Sequence, residues 1–226
     1  MYLRLEHAEL LIRRTSAEIE QAIASHKNFL DSLQGDSDWA FVIKMHAFLE
    51  ALVTSLISSH SGAFRLGDIA SRLPMNSSDG ISKLELVKAN SLLGAEQMRF
   101  IKKLGEVRNQ LAHEVAQVDS FSFADYIANL DGNQLKNWRR DLTFFLIEDD
   151  GRNHSNLAIT DPRLAITEAL FDLICHIETA KVVNDIDSES QSIMREDTKE
   201  LVDSLAEKLG VEVASSAHSF ELGGQS

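Results

Sequence analysis

A chain of 226 residues is long enough for one large domain or two small ones and can bury a sizeable core without covalent staples. Hydrophobic residues make up 44% and charged residues 25%, which excludes a disordered or fibrous chain. The net charge of −13 excludes a general duplex-DNA binder, because Lys and Arg on phosphate supply most non-specific affinity, so any nucleic-acid contact must use a local basic patch.

The single cysteine, Cys175, rules out an intramolecular disulfide framework and a cysteine-based zinc or iron–sulfur site, and it fits a reducing compartment. The first thirty residues carry charges every few positions, unlike a signal peptide or a spanning helix, and no other uninterrupted apolar run reaches membrane length. The expectation is a cytoplasmic protein with no membrane partner.

Two prolines and eleven glycines leave long stretches without a breaker, which favours helices. Residues 3–33 place Leu3, Leu10, Leu11, Ala17, Ile19, Ala22, Ile23 and Leu30 among charges, an amphipathic helical pattern ending near Gly35. With Asp36 and Ser37 as caps, the spacing from Phe41 to Ile57 predicts a central helix apolar over more than half its circumference. Residues 60–79 read as a connector. A short helix with Leu84, Leu86, Val87, Leu92 and Leu93 is expected to end at Gly94, and Ala95 to Gln117 to form its hairpin partner. The pattern weakens through Phe121, Phe123 and Tyr126, recovers from Trp138 to Ile147, and breaks at 148–153. A last apolar helix follows Pro162, with Leu164, Ile166, Leu170, Phe171, Leu173, Ile174 and Ile177, and packs back on the central helix. From Asn184 to Glu212 nine acidic residues stand against three basic ones, the pattern of a solvated helical face, and the tail from Ala214 is expected to be disordered.

In the 95–117 helix, Phe100, Ile101, Leu104, Val107, Leu111, Val115 and Val118 fall on an arc of about 120° that faces the core. Arg108 falls inside that arc, so a permanent charge there needs a partner or a purpose. Gly105, Ala112 and Ala116 form an adjacent strip of small residues, and a glycine in a helix interior costs about 1 kcal/mol against alanine, a cost that close approach of another helix would explain. Asn109 and His113 share a face with Lys102, whereas Arg108 lies about 140° of helix rotation from His113. Two copies of the helix meeting along the small strip could line one shared cleft with both groups.

The run Ser82-Lys83-Leu84-Glu85-Leu86-Val87 to Leu92-Leu93-Gly94, then Phe100-Ile101-Lys102-Lys103-Leu104, then Arg108-Asn109-Gln110-Leu111-Ala112-His113 resembles the helical hairpin of HEPN domains, with their R-N-x-x-x-H signature, over about thirty-five residues. The resemblance implies an all-α fold, a HEPN-like antiparallel helical bundle with additional N- and C-terminal helices. On this chain that gives an N-terminal amphipathic helix over 1–35, the bundle over 36–183, and an acidic helix with its tail over 184–226. Many HEPN proteins are metal-independent ribonucleases, of toxin or phage-defence type, that dimerise to line a composite cleft with Arg and His; others are regulators or interaction modules. Toxins paired with nucleotidyltransferase antitoxins usually carry a Tyr two residues past the His, where this chain has Val115. The hairpin is also similar to the mannitol operon repressor family, for which nuclease activity is not the expectation.

Cleavage of RNA through its 2′-hydroxyl needs a base near neutral pKa and a cation to offset charge growing on the phosphorane. His113 and Arg108 are the candidates, with Asn109 orienting sugar or phosphate and Arg99, Lys102 and Lys103 steering RNA. From Ile81 to His113 six basic residues face three acidic ones, a local inversion inside an acidic chain. The alternative pairs Arg108 with an acid such as Glu50 or Glu85, leaving a silent regulatory or interaction module that dimerises through the hairpin and meets a partner, an antitoxin or regulatory protein, by its acidic helix. His46 and Glu50 could share a metal, but no second pair supplies further ligands, so His46 reads as a core or interface histidine. No metal or cofactor is expected. Cys175 reads as a structural thiol, and Trp138, beside Arg139 and Arg140, as core.

Overall fold

The computed structural model of the chain describes residues 4–60, 69–77, 80–113, 120–145 and 156–209. These form helices and turns with no strand among them, the all-α architecture that breaker spacing and apolar periodicity predict. The expected loop at 148–153, the tail from Ala214 and the position of Val115 lie outside the described residues.

The first amphipathic pattern is two helices, α1 (Leu5–Ser25) and α2 (Lys27–Ser32). At the break the Ser25 hydroxyl donates to the Ala22 carbonyl at 2.6 Å, and the His26 amide reaches back only three residues, to Ile23. A serine bonding its own backbone competes with the helical ladder in this way. Then α3 (Asp38–His60) runs through the core, burying Phe41, Val42, Met45, Leu49, Leu52, Val53, Leu56 and Ile57. By length and composition α3 is apolar enough to cross a membrane, a run not expected from the sequence; Lys44, His46 and Glu50 interrupt it, and Met45 and Leu49 between them belong to the core.

A capping box of Ser82 and Glu85 starts α4 (Lys83–Ala89). This helix ends five residues earlier than Gly94. Ser91 adopts a left-handed conformation (φ 53°), and its amide bonds the Lys88 carbonyl while the Leu92 amide bonds the Val87 carbonyl. That is a Schellman ending with serine in the place glycine usually takes. Gly94 instead opens α5 (Ala95–His113), its amide donating to Gln97 Oε1 at 2.9 Å.

Two short helices follow, α6 (Phe123–Ala128), capped by Ser122, and α7 (Gly132–Leu142), started by a capping box of Asp131 and Gln134. Phe121, Phe123, Tyr126 and Trp138 form a chain of ring contacts, which accounts for the helical signal being weak there. Trp138 is buried and its indole donates to the Ala158 carbonyl at 2.7 Å, so it is core, as expected. After α8 (Leu157–Thr160), the apolar stripe beyond Pro162 belongs to one 48-residue helix, α9 (Pro162–Leu209), which continues through the acidic segment.

The chain divides into two compact units. The larger, Thr15–Asp185, has α3 at its centre, packed on α5 and α4, with α5 on α7 and α7 on α8. From α9, Ala165, Ile166, Ala169, Leu170, Leu173, Ile174 and Ile177 join the same core. Arg163 ties the start of α9 to the turn before α3: it donates to the Leu33 and Asp36 carbonyls and lies 4.6 Å over the Phe41 ring. Glu178 accepts from Lys181 at 2.8 Å and meets His26 Nε2 at 3.1 Å.

The smaller unit comprises residues 1–14 and 186–226. Within it Arg4 and His7 of the N-terminal segment meet Asp197, Arg4 also meets Glu200, and Arg14 holds Glu189 at 2.7 Å. Partner numbers fall as N-terminal numbers rise, so the two segments run antiparallel. Burial would raise the Asp197 carboxyl, but the Arg4 amide and His7 outweigh it and hold the group below the ordinary range. Part of the acidic segment is therefore spent on pairing within the chain.

Candidate functional site

The face of α5 that carries Lys102, Gly105, Glu106, Arg108 and Asn109 borders a cleft of about 320 Å³, closed on its other sides by His46 and Glu50 of α3, residues Pro74 to Asn76, and Leu84 of α4. Apolar residues one turn apart on α5, Ile101, Leu104, Val107 and Leu111, are buried against the core and set the helix rotation that turns Lys102 and Arg108 toward this cleft.

Arg108 sits at the edge of the core arc, half-buried. Neither acid considered for it serves as its partner. Glu50 accepts from the Lys83 ammonium at 2.6 Å, and Glu85 is occupied in the capping box with Ser82. Among the described residues Arg108 has no ion pair; its guanidinium donates to Asn109 Oδ1 at 3.2 Å, a contact that fixes its direction.

The charges of the cleft cancel in pairs, with two left over. Glu50 is matched by Lys83, and Glu106 by Lys103 at 2.5 Å. Lys102 and Arg108 are the cations without a matching carboxylate among the described residues. A small anion entering the cleft therefore meets two uncompensated positive groups.

The three candidate RNA-contacting cations have different placements. Lys102 is exposed and lines the cleft. Lys103 is turned along its own helix to Glu106. Arg99 faces α7, with its Nε 3.3 Å from the buried carboxylate of Asp141, and holds the helix pair together. His113 ends the described part of α5, and its side chain, like Ala116, lies outside the described residues, so the approach of Arg108 to His113 does too.

His46, which reads in the sequence as a core or interface histidine, stands in the same cleft as Arg108. A side chain on Gly105 would begin 3.7 Å from His46 Nε2, so the helix that approaches the small strip at this point is α3 of the same chain. Ala112, on the same strip, stays exposed. Burial lowers the His46 pKa and nearby Arg108 lowers it further, against an opposing pull from Glu50, so the imidazole favours its neutral form. The signal for it in the sequence is an imidazole in the middle of an apolar helix, matched by a lone glycine on a cationic one.

No group of three or more His, Cys, Asp or Glu among the described residues could hold a metal. Cys175 is half-buried, and burial together with Asp172 pushes its thiol up, away from the thiolate a nucleophile needs. A second cavity, about 340 Å³, is lined by Gln110, Phe121, Asp125, Tyr126 and Asn129 among others, with no Lys, Arg or His, and so offers no cation to a phosphate. No family model, curated protein or solved structure matches the chain.

Proposed function

We propose that the protein is a HEPN-like, metal-independent endoribonuclease of the cytoplasm, working as a homodimer on single-stranded or looped RNA. The observation that carries this reading is that Arg108 is free of any described carboxylate and lies in an open cleft beside Lys102 and Asn109. A structural arginine would be consumed by an acid, and the two acids within reach of the cleft are already bound to lysines.

In this reading Lys102 and Arg108 hold the phosphate, Arg108 offsets the charge that grows on the phosphorane, Asn109 sets the guanidinium direction, and His113 transfers a proton. The products are a 2′,3′-cyclic phosphate and a 5′-hydroxyl. The test is cleavage of a mixed RNA pool by the purified chain in excess EDTA, beside Arg108→Ala and His113→Ala, with the mass in solution measured for each. Cyclic-phosphate ends that disappear in both variants while the dimer persists support the reading. Silence of the unaltered chain sinks it in favour of a regulatory or interaction module.

A further inference from the structure

We propose that His46 is a catalytic base of the cleft, taking the proton from the 2′-hydroxyl of an RNA strand held by Lys102 and Arg108. The proposal rests on the ribonuclease reading above and adds to it a residue outside the Arg108–His113 signature.

Three observations carry it. First, His46 lines the cleft together with Lys102 and Arg108, its Nε2 3.7 Å from the point at which a side chain on Gly105 would begin. Second, His46 is half-buried and makes no hydrogen bond to a described residue, so its ring is open to a ligand or water in the cleft. Third, it is the one described group in the cleft able to accept a proton near neutral pH. Glu50 and Glu106 are bound to lysines, and Lys102 and Arg108 are cations.

The charged groups around His46 come from each element packed on it: Arg108, Lys102 and Glu106 from α5, Glu50 from α3 itself, and Lys83 from α4. Burial, Arg108 and Lys83 disfavour protonation of the free imidazole against the pull of Glu50, and a bound phosphate would offset the cations. The site thus holds a free base that becomes a better proton acceptor once substrate arrives.

Breaking the strand takes two proton transfers, one off the 2′-oxygen and one onto the 5′-oxygen. His46 accepts the 2′-hydroxyl proton as the 2′-oxygen bonds to phosphorus. The bond from phosphorus to the 5′-oxygen breaks, and that oxygen takes a proton from water. The His46 imidazolium then gives its proton to the hydroxide so formed, and no further reactant is needed.

The test uses the full chain, an RNA oligonucleotide, and its 2′-deoxy counterpart as a binding probe that cannot be cut. His46→Gln is expected to lower the cleavage rate about 10²–10⁴-fold, to bind the 2′-deoxy probe within about threefold of the unaltered chain, and to lose the fall in kcat/KM on the acid side of the pH profile. Arg108→Ala is expected to weaken probe binding as well. If His46→Gln does not fold, as judged by its helical circular dichroism, His46→Asn takes its place. Cleavage by the variant with an unchanged rate and acid limb overturns the role of His46 while leaving the ribonuclease reading intact. An unaltered chain that cuts no RNA overturns that reading, and His46 as its base with it.

Discussion

The Nε2 atom of His46 lies 3.7 Å from the point at which a side chain on Gly105 would begin. That spacing is ordinary van der Waals contact, so the seam between α3 and α5 admits a methyl group and little more. Gly105→Ala is expected to raise stability by up to about 1 kcal/mol through helix propensity alone. Gly105→Leu drives a branched group into the imidazole and is expected to cost about 1–3 kcal/mol. Urea denaturation of both variants checks this, and a destabilised alanine variant would show that the seam tolerates no added atom.

Glu50 and Lys83 form an asymmetric pair: the lysine side chain is 2% exposed and the glutamate 41%. Removing the carboxylate strands a buried ammonium, so Glu50→Gln is expected to cost about 2–3 kcal/mol. Lys83→Met keeps the buried stem and removes the charge, for a cost below about 1.5 kcal/mol. A shift of the urea midpoint at constant slope reads both. Equal losses would mean that packing of the stem, rather than the stranded charge, dominates.

Glu178 supplies a pH dependence. Burial alone would raise its carboxyl, but hydrogen bonds from Lys181 and His26 hold it below the ordinary glutamate range. The unfolded chain then binds this proton first, so the stability it contributes is present above the ordinary range and lost as pH falls through it toward the folded value. The difference in melting temperature between the unaltered chain and Glu178→Gln should therefore shrink between about pH 6 and about pH 3. A difference independent of pH over that window would remove Glu178 as its source.

Ser91 holds a left-handed conformation at an exposed helix end. Glycine adopts that conformation without the clash of a β-carbon, and it is the usual residue there. Ser91→Gly is expected to stabilise the fold by about 0.5–1 kcal/mol, net of the extra freedom it gives the unfolded chain. Thermal melting decides it; an unchanged or lowered midpoint counts against the strain.

Apolar periodicity made α3, α5 and the first half of α9 legible, because one buried stripe fixes a helix whatever surrounds it. Helix ends were less legible. Gly94 is the obvious stop after Leu93, yet the chain stops at Ala89, since Ser91 can enter the left-handed region and the ladder closes behind it. The split between Ser25 and Lys27 falls inside one continuous amphipathic pattern, so no period reveals it. At the cleft, Arg108 was visible as a charge out of pattern, as was the need for something to sit close to Gly105. That this something is His46 depends on the register of α3 against α5, which depends on tertiary packing that neither helix encodes alone.

In the proposed ribonuclease the pairing of Glu50 with Lys83 and of Glu106 with Lys103 would also set how salt acts on RNA binding. A single strand with one phosphate held by Lys102 and Arg108 gives a slope of log affinity against log salt near −0.7 per cleft, at about −0.7 for each phosphate met. Doubling the salt then weakens binding less than about twofold. Counterion release on that scale leaves most of the discrimination between RNA sites to shape and to directed hydrogen bonds, so RNA would be held by fit more than by charge.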